Sequence, residues 1–189
     1  ELKRLGANFE ILDENNIINR TSEDLSKGNA VGWFQGRMEF GQRALGNRSI
    51  LADPRDKNSK VKVNQAVKYR ESFRPFAPAV IDKYAYQYFD LAKDEKIPFM
   101  EKVVMVRKEK RNIIPAVVHK DFTARVQTVE NQTNKIFYNL INDFYKKTGV
   151  PILLNTSFNL NGEPIVCSPT DAIKTFYSCG LDILVMNNF

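Results

Sequence analysis

Residues 30–54 read AVGWFQGRMEFGQRALGNRSILADP, and the organisation of this stretch sets how the rest of the chain is understood. Ala30–Phe34 is a short apolar run with the character of a buried strand, and Gly36 marks the turn out of it. Ser49–Ala52 is a second short strand, stopped by Asp53-Pro54. Between them Arg37, Arg43 and Arg48 alternate with Gly36, Gly41 and Gly46. Such a loop lets backbone approach an anion while guanidinium forks supply paired donors. A surface turn whose arginines bond neighbouring acids fits the same composition.

Upstream, residues 1–29 are polar with scattered apolar positions. They read as a linker or lead-in from a preceding domain, the chain opening at Glu1 without a methionine. Thr21 and Asp24 have capping-box spacing, predicting a short helix through Ser26 or Lys27. Downstream, Asn58–Ala66 has helical character, and Pro75 and Pro78 hold the following segment extended. Phe99–Val106 and Ala124–Val129 have strand character, with His119-Lys120-Asp121 as a loop between them. Ile136, Phe137, Leu140, Ile141, Phe144 and Tyr145 share one face of a helix over 133–147 that Gly149 stops. Pro151–Asn155 is a buried strand, Ser168-Pro169-Thr170-Asp171 opens a helix, and Asp182–Met186 closes the chain as a strand. Strands and helices mix without strict alternation, which predicts one α/β (α+β mixed) domain over residues 30–189.

The charge is concentrated. Of the 28 Lys and Arg, ten lie in residues 37–74 against Glu39, Asp53, Asp56 and Glu71, so this segment carries the whole net charge of +6. A local cationic excess in an otherwise balanced chain points to an anionic partner. No apolar run approaches the length of a membrane span, and a cytoplasmic protein is expected. Two cysteines and one histidine cannot assemble a disulfide framework or a Cys/His zinc site; Cys167 and Cys179 are expected to be buried, reduced thiols.

Three further groups can carry chemistry. Lys68, Arg70 and Arg74 lie near a proline-fixed turn, and Lys68 and Arg70 would share a face if the backbone is extended, flanking one phosphate. Lys57, Lys60 and Lys62 read better as solvated surface charge. Asn155-Thr156-Ser157-Phe158-Asn159 places amides and hydroxyls at the carboxyl end of a strand, where they can hold a nucleotide or complete a magnesium-water shell, although turn chemistry selects the same residues. His119 with Asp121, and Thr123 with Arg125 and Gln127, form the last group. A histidine beside an acid suits a proton carrier or a donor to a developing oxyanion, and equally a structural role.

GRMEFGQRALGNRSIL (36–51), VNQAVKYRESFRPFAP (63–78), HKDFTARVQTV (119–129) and VPILLNTSFNLNGEPIVCSPTDAIKTF (150–176), in that order, resemble the motifs of the carbamoyltransferase C-terminal domain. The family includes nodulation-factor and antibiotic O-carbamoyltransferases. The resemblance implies a YrdC-like twisted mixed sheet with flanking helices around a positively charged cleft, with Lys68-Tyr69-Arg70 and Ser157-Phe158-Asn159 filling its Lys-x-Arg and Ser-x-Asn patterns. It implies that carbamoyl phosphate and ATP with Mg2+ are bound and carbamoyl-adenylate is formed. An N-terminal ASKHA-type domain then transfers the carbamoyl group to a hydroxyl. In that scheme Arg37, Arg43, Arg48, Lys68, Arg70 and Arg74 bind phosphate and carbamoyl groups. Asn155, Ser157 and Asn159 contact nucleotide or metal-bound water, His119 and Arg125 face the reacting carbonyl, and no side chain ligates metal directly. Two positions depart from the family pattern: Gln42 stands for proline, loosening φ, and Phe122 for glycine, which is expected to exclude a positive φ there. The rival readings are an RNA-binding module stacking bases on Phe40, Tyr69, Phe73 and Phe76, and a non-catalytic docking domain. The first ranks lower because the cations sit in glycine- and proline-shaped motifs; no membrane partner is expected.

Overall fold

The alternation of apolar side chains along short strands sorts the core into two layers. In the computed structural model, which describes residues 2–69, 71 and 74–189, those strands are β1 (Val31–Phe34), β2 (Arg48–Ala52), β3 (Ala77–Ile81), β6 (Gln127–Val129), β7 (Ile152–Ser157) and β8 (Ile183–Met186). They form a mixed sheet ordered β6-β3-β7-β2-β1-β8. β7 lies antiparallel between β2 and β3, with Leu51 and Ala77 both opposite Asn155. β1 pairs in parallel with β8 and β3 in parallel with β6. β4 (Val103–Met105) and β5 (Thr123–Arg125) make a separate antiparallel ribbon.

Val31, Trp33, Leu51, Ala79, Ile81 and Leu153 project from one face of the sheet. They are buried under Ile17 and Leu25 of α1 (Glu14–Ser26) and Phe137, Leu140, Ile141 and Phe144 of α4 (Lys135–Thr148). Their neighbours Phe34, Ile50, Ala52, Val80, Ile152 and Leu154 face the other way, against Val63 of α2 (Lys57–Val63), Ala172 and Ile173 of α5 (Pro169–Tyr177), and buried residues of 88–117. The period-2 alternation thus serves two apolar layers at once, which is why these strands carry few polar residues. A short helix, α3 (Ala85–Tyr88), follows β3. None of the described helices is long and apolar enough to cross a membrane.

Several sequence expectations need correction. The first helix starts at Glu14 rather than Thr21: the Asp13 side chain accepts the Asn16 N–H at 2.9 Å, while Thr21 is buried in mid-helix. α1 packs along α4, so the body of the fold begins well before residue 30. The strand expected over 99–106 shrinks to 103–105 because Met100, at φ 58°, breaks the extension. The strand expected over 124–129 divides at Val126, with β5 in the ribbon and β6 in the main sheet. Cys167 is exposed and Cys179 only half-buried. Lys62 is an ion-pair partner rather than free surface charge: its ammonium lies 2.8 Å from Asp182 and 3.0 Å from the Gly28 carbonyl. The helices expected to start at Ser168 and stop at Gly149 do so, by a reciprocal Ser168/Asp171 capping box and a left-handed Gly149.

Candidate active site

The loop between β1 and β2 is held from within by one acid. Glu39 Oε1 accepts the backbone N–H of Leu45 at 2.7 Å, of Asn47 at 2.8 Å and of Arg48 at 3.3 Å, closing the loop on itself. Its far side is pinned to the core: Trp33 Nε1 donates to the Gly46 carbonyl at 2.9 Å, and the Gly46 N–H donates to Ser49 Oγ at 3.1 Å. Two amides fix the inner side. Asn155 Nδ2 donates to the Ala44 carbonyl at 3.1 Å and to Gln127 Oε1 at 2.8 Å, and Gln127 Nε2 donates to the Leu45 carbonyl at 2.8 Å. The sequence groups Gln127 with Thr123 and Arg125 but does not reveal it as a brace of this loop, nor Glu39, the lone acid among the arginines of the loop.

This bracing separates the three arginines of the loop. Arg48 is 4% exposed, and its guanidinium is spent on the carbonyls of Gln35 (2.8 Å), Asn47 (3.0 Å) and Gly36 (3.2 Å) while stacking 3.6 Å over the Phe34 ring. Burial holds its pKa below the ordinary arginine value. Arg48 is therefore a scaffold of the loop rather than a ready phosphate ligand. Arg37 is exposed on the loop's outer side, where its carbonyl accepts from Asn47 Nδ2 at 2.7 Å. Arg43 is half-buried, and among the described residues its guanidinium has no hydrogen bond or ion pair.

Arg43 lines a pocket of about 90 Å³ with Arg125 from the end of β5, Asn155, Thr156 and Ser157 from the end of β7, and Met100. Sequence positions more than a hundred residues apart thus meet where β7 ends beside the starts of β2 and β3. The left-handed Met100 sits in the wall, a strained backbone at a cleft. A larger groove of about 540 Å³ lies at the β8 edge, but its lining is mostly apolar and holds one cation, Arg20, so it is no receptor for a polyanion.

Lys68 joins the pocket through Ser157. A single wide helical turn over Asn64–Lys68 ends at Tyr69 in the left-handed region (φ 43°), so the extended backbone on which Lys68 and Arg70 would share a face is not present at Lys68. The turn drives its ammonium inward to 2.7 Å from the Ser157 carbonyl, 3.1 Å from Ser157 Oγ, 3.1 Å from the Asn159 carbonyl and 2.6 Å from Asn159 Oδ1. Ser157 Oγ also donates to Asn159 Oδ1 at 2.6 Å, and Asn159 Nδ2 donates to the Glu163 carbonyl at 2.7 Å. Lys68, Ser157 and Asn159 are one tied unit. Arg70 lies outside the described residues. Arg74 is exposed and paired with Glu71 at 2.9 Å, an arrangement that water and salt weaken.

His119 is half-buried beside the strand that carries Arg125. Thr123 Oγ1 donates to Asp121 at 2.7 Å, so at 2.9 Å from His119 Nδ1 it can only accept, which assigns the proton to Nδ1. Nε2 is left as a buried lone pair without a hydrogen bond among the described residues. Burial, foremost, lowers the His119 pKa; Asp121 opposes this, and Arg125 and Lys60 add to it. A neutral ring with this tautomer accepts a proton at Nε2 rather than donating to an oxyanion. Phe122 corrects the expectation drawn from its departure: it occupies φ 66°, the conformation a glycine would take, and Arg111 lies 4.1 Å over its ring. The turn keeps its shape and carries the strain, on the order of 1–2 kcal/mol, in the phenylalanine backbone.

A depressed histidine pKa has a sign. The unfolded chain takes up the His119 proton near pH 6.5 and the folded chain only at lower pH, so stability from this group is complete above pH 6.5 and is lost as pH falls toward the folded value. His119 is the one histidine of the chain, so its ring resonances in an NMR titration should give a midpoint below 6.5. A midpoint above 6.5 would mean that a carboxylate, not burial, governs the ring.

The fold recurs in solved structures. Over 94% of this chain and 50% of theirs, the fold superposes on P. abyssi Sua5 with a TM-score of 0.63 at 16% identity. For full-length HypF the TM-score is 0.61 at 14% identity, over 90% of this chain and 25% of that one. The class is thus the YrdC-like fold that the motifs implied. Within it the chain belongs to the carbamoyltransferase C-terminus family, whose model matches residues 22–189. It is 50% identical to nodulation protein NolNO of Sinorhizobium fredii over its full length and 28% of that protein. It is 36% identical to 3'-hydroxymethylcephem-O-carbamoyltransferase of Amycolatopsis lactamdurans over 87% of this chain and 31% of that enzyme. The chain thus spans roughly a third of the length of these relatives.

Proposed function

We propose that this chain is the carbamoyl-activating part of an O-carbamoyltransferase. It binds carbamoyl phosphate and ATP with Mg2+ and forms carbamoyl-adenylate, which an ASKHA-type domain passes to a hydroxyl acceptor. The observation that carries the reading is the small pocket where the unengaged Arg43 faces Arg125, Asn155 and Ser157. Its volume equals about three waters at roughly 30 Å³ each, room for a carbamoyl-sized group but not for a nucleotide, which would lie across the open surface outside. The lining is cationic or neutral, a donor set for a polyanion, and Mg2+ would arrive on the nucleotide. Membership of a family that includes a named O-carbamoyltransferase supports the same chemistry.

In the first step water adds to the carbamoyl carbon, the bond from that carbon to the phosphate oxygen breaks, and inorganic phosphate leaves. His119, neutral and with Nε2 as its lone pair, is the group suited to take the proton. In the second step the carbamate oxygen attacks the α-phosphorus of ATP and pyrophosphate departs. Both steps gather negative charge in one place, so Arg43, Arg125 and Lys68 act by positioning and charge stabilisation rather than as nucleophiles. Arg37 and Arg74, both exposed, are assigned to the outer phosphates, and Ser157 and Asn159 to the nucleotide side of the pocket.

Arg43→Ala tests this reading directly. Because Arg43 supports nothing else among the described residues, the variant should keep its melting temperature while carbamoyl phosphate binding, measured by calorimetry, weakens about tenfold to a hundredfold. Undiminished affinity would remove the pocket from the reaction.

A further inference from the structure

Asn155 is 1% exposed and its amide cannot be turned over. Nδ2 faces two acceptors, the Ala44 carbonyl and Gln127 Oε1, and Gln127 is itself locked because its Nε2 donates to the Leu45 carbonyl. Reversing the amide would set oxygen against oxygen at both contacts. Oδ1 is therefore fixed on the other side of the amide from these two contacts, and it is a buried acceptor with no hydrogen bond among the described residues. Such a group is costly unless something else satisfies it. The residue lines the pocket that Arg43 and Arg125 also line.

A ligand filling this space must offer oxygen acceptors to the guanidinium groups and an N–H donor to Oδ1. Carboxylate, acetyl and fully ionised phosphate ester groups offer acceptors or a methyl. A carbamoyl group offers an oxygen and an –NH2 on the same carbon. We infer that Asn155 is a specificity-determining residue, whose Oδ1 accepts from the substrate –NH2 and so distinguishes carbamoyl phosphate from acyl phosphates of equal size. The inference rests on the reading of the pocket given above. An acetyl phosphate in the same place would press its methyl against a buried, unsatisfied oxygen.

The test is the ratio of two dissociation constants, for acetyl phosphate and carbamoyl phosphate, measured by calorimetry on the 189-residue chain. The unmodified chain should favour carbamoyl phosphate about tenfold to a hundredfold. Asn155→Leu, similar in shape but with no acceptor, should bring the ratio close to one. Gln127→Met loosens the loop but keeps the Ala44 carbonyl, which alone still holds Nδ2 and so the orientation of Oδ1; it should weaken both ligands and preserve the ratio. Equal binding of the two ligands by the unmodified chain overturns the inference, whether or not the variants fold. So does an Asn155→Leu variant that weakens both ligands alike; in either case the pocket remains a carbamoyl phosphate site. If the unmodified chain binds neither, the reading of the pocket fails and the inference with it.

Discussion

Lys68→Met should lower phosphate release from carbamoyl phosphate about a hundredfold or more, the largest functional loss expected from any single change here. The ammonium is within hydrogen-bond distance of four oxygens, two from Ser157 and two from Asn159, and the residue is 5% exposed. A methionine fills the same channel but donates nothing. It leaves two backbone carbonyls and an amide oxygen without their cationic donor, each worth about 1–3 kcal/mol if unmet. The end of β7 that presents Ser157 to the pocket then loses its fixed position, and the pocket loses a nearby positive charge. Lys68→Arg should not restore activity, because a planar fork does not fit where a compact ammonium reaches oxygens on both residues. Single-turnover phosphate release with a parallel thermal melt is the measurement. A Lys68→Met chain that turns over normally would show that the Ser157/Asn159 unit lies outside the chemistry.

Gly46→Ala should be the most damaging change for stability. Gly46 holds φ 111°, and a Cβ there would stand 2.2 Å from Phe137 Cδ1 and 2.6 Å from its Cγ. Phe137 is fully buried in α4 and cannot move aside without opening the layer it shares with Trp33 and Leu140. Backbone strain of about 1–3 kcal/mol adds to overpacking of similar size. For a chain of this length that lowers the melting temperature by on the order of 10 °C. The loop would be displaced as well, since Gly46 is its hinge on the core through Trp33 and Ser49. Carbamoyl phosphate affinity should therefore fall together with stability, unlike Arg43→Ala, where affinity alone falls. A Gly46→Ala chain melting within a degree or two of the original would show that α4 yields at this point.

The parts of the fold that could be read beforehand were those governed by local chemistry. The amphipathic face of α4, its stop at Gly149, the cap at Ser168 and the short strands β1, β2, β7 and β8 follow from periodicity and terminal residues within one element. Errors arose where a distant partner decides. Thr21 and Asp24 have the spacing of a cap, yet the apolar side of α4 holds a longer helix whose start is set by Asp13. Val126 looks like mid-strand, yet two different sheets claim the residues on either side of it. Phe122 adopts the left-handed turn that its side chain disfavours, in a turn closed by the Phe122 N–H to the His119 carbonyl at 3.0 Å and the His119 N–H to the Thr123 carbonyl at 2.8 Å.

For the site the division is equally physical. The sequence by itself determined which residue types gather: arginines between glycines, a Lys-x-Arg pair, a Ser-x-Asn pair and a single histidine near an acid, enough to point to an anionic partner and to specify the family. Only the tertiary structure decided which of those cations remains available. Residue type says that a guanidinium has five donors; whether they meet backbone carbonyls, as in Arg48, a surface acid, as in Arg74, or a pocket, as in Arg43, depends on groups more than ten residues away in some cases and within four in others. The same holds for Asn155, whose one committed nitrogen and one open oxygen exist only because Ala44 and Gln127 fold against it.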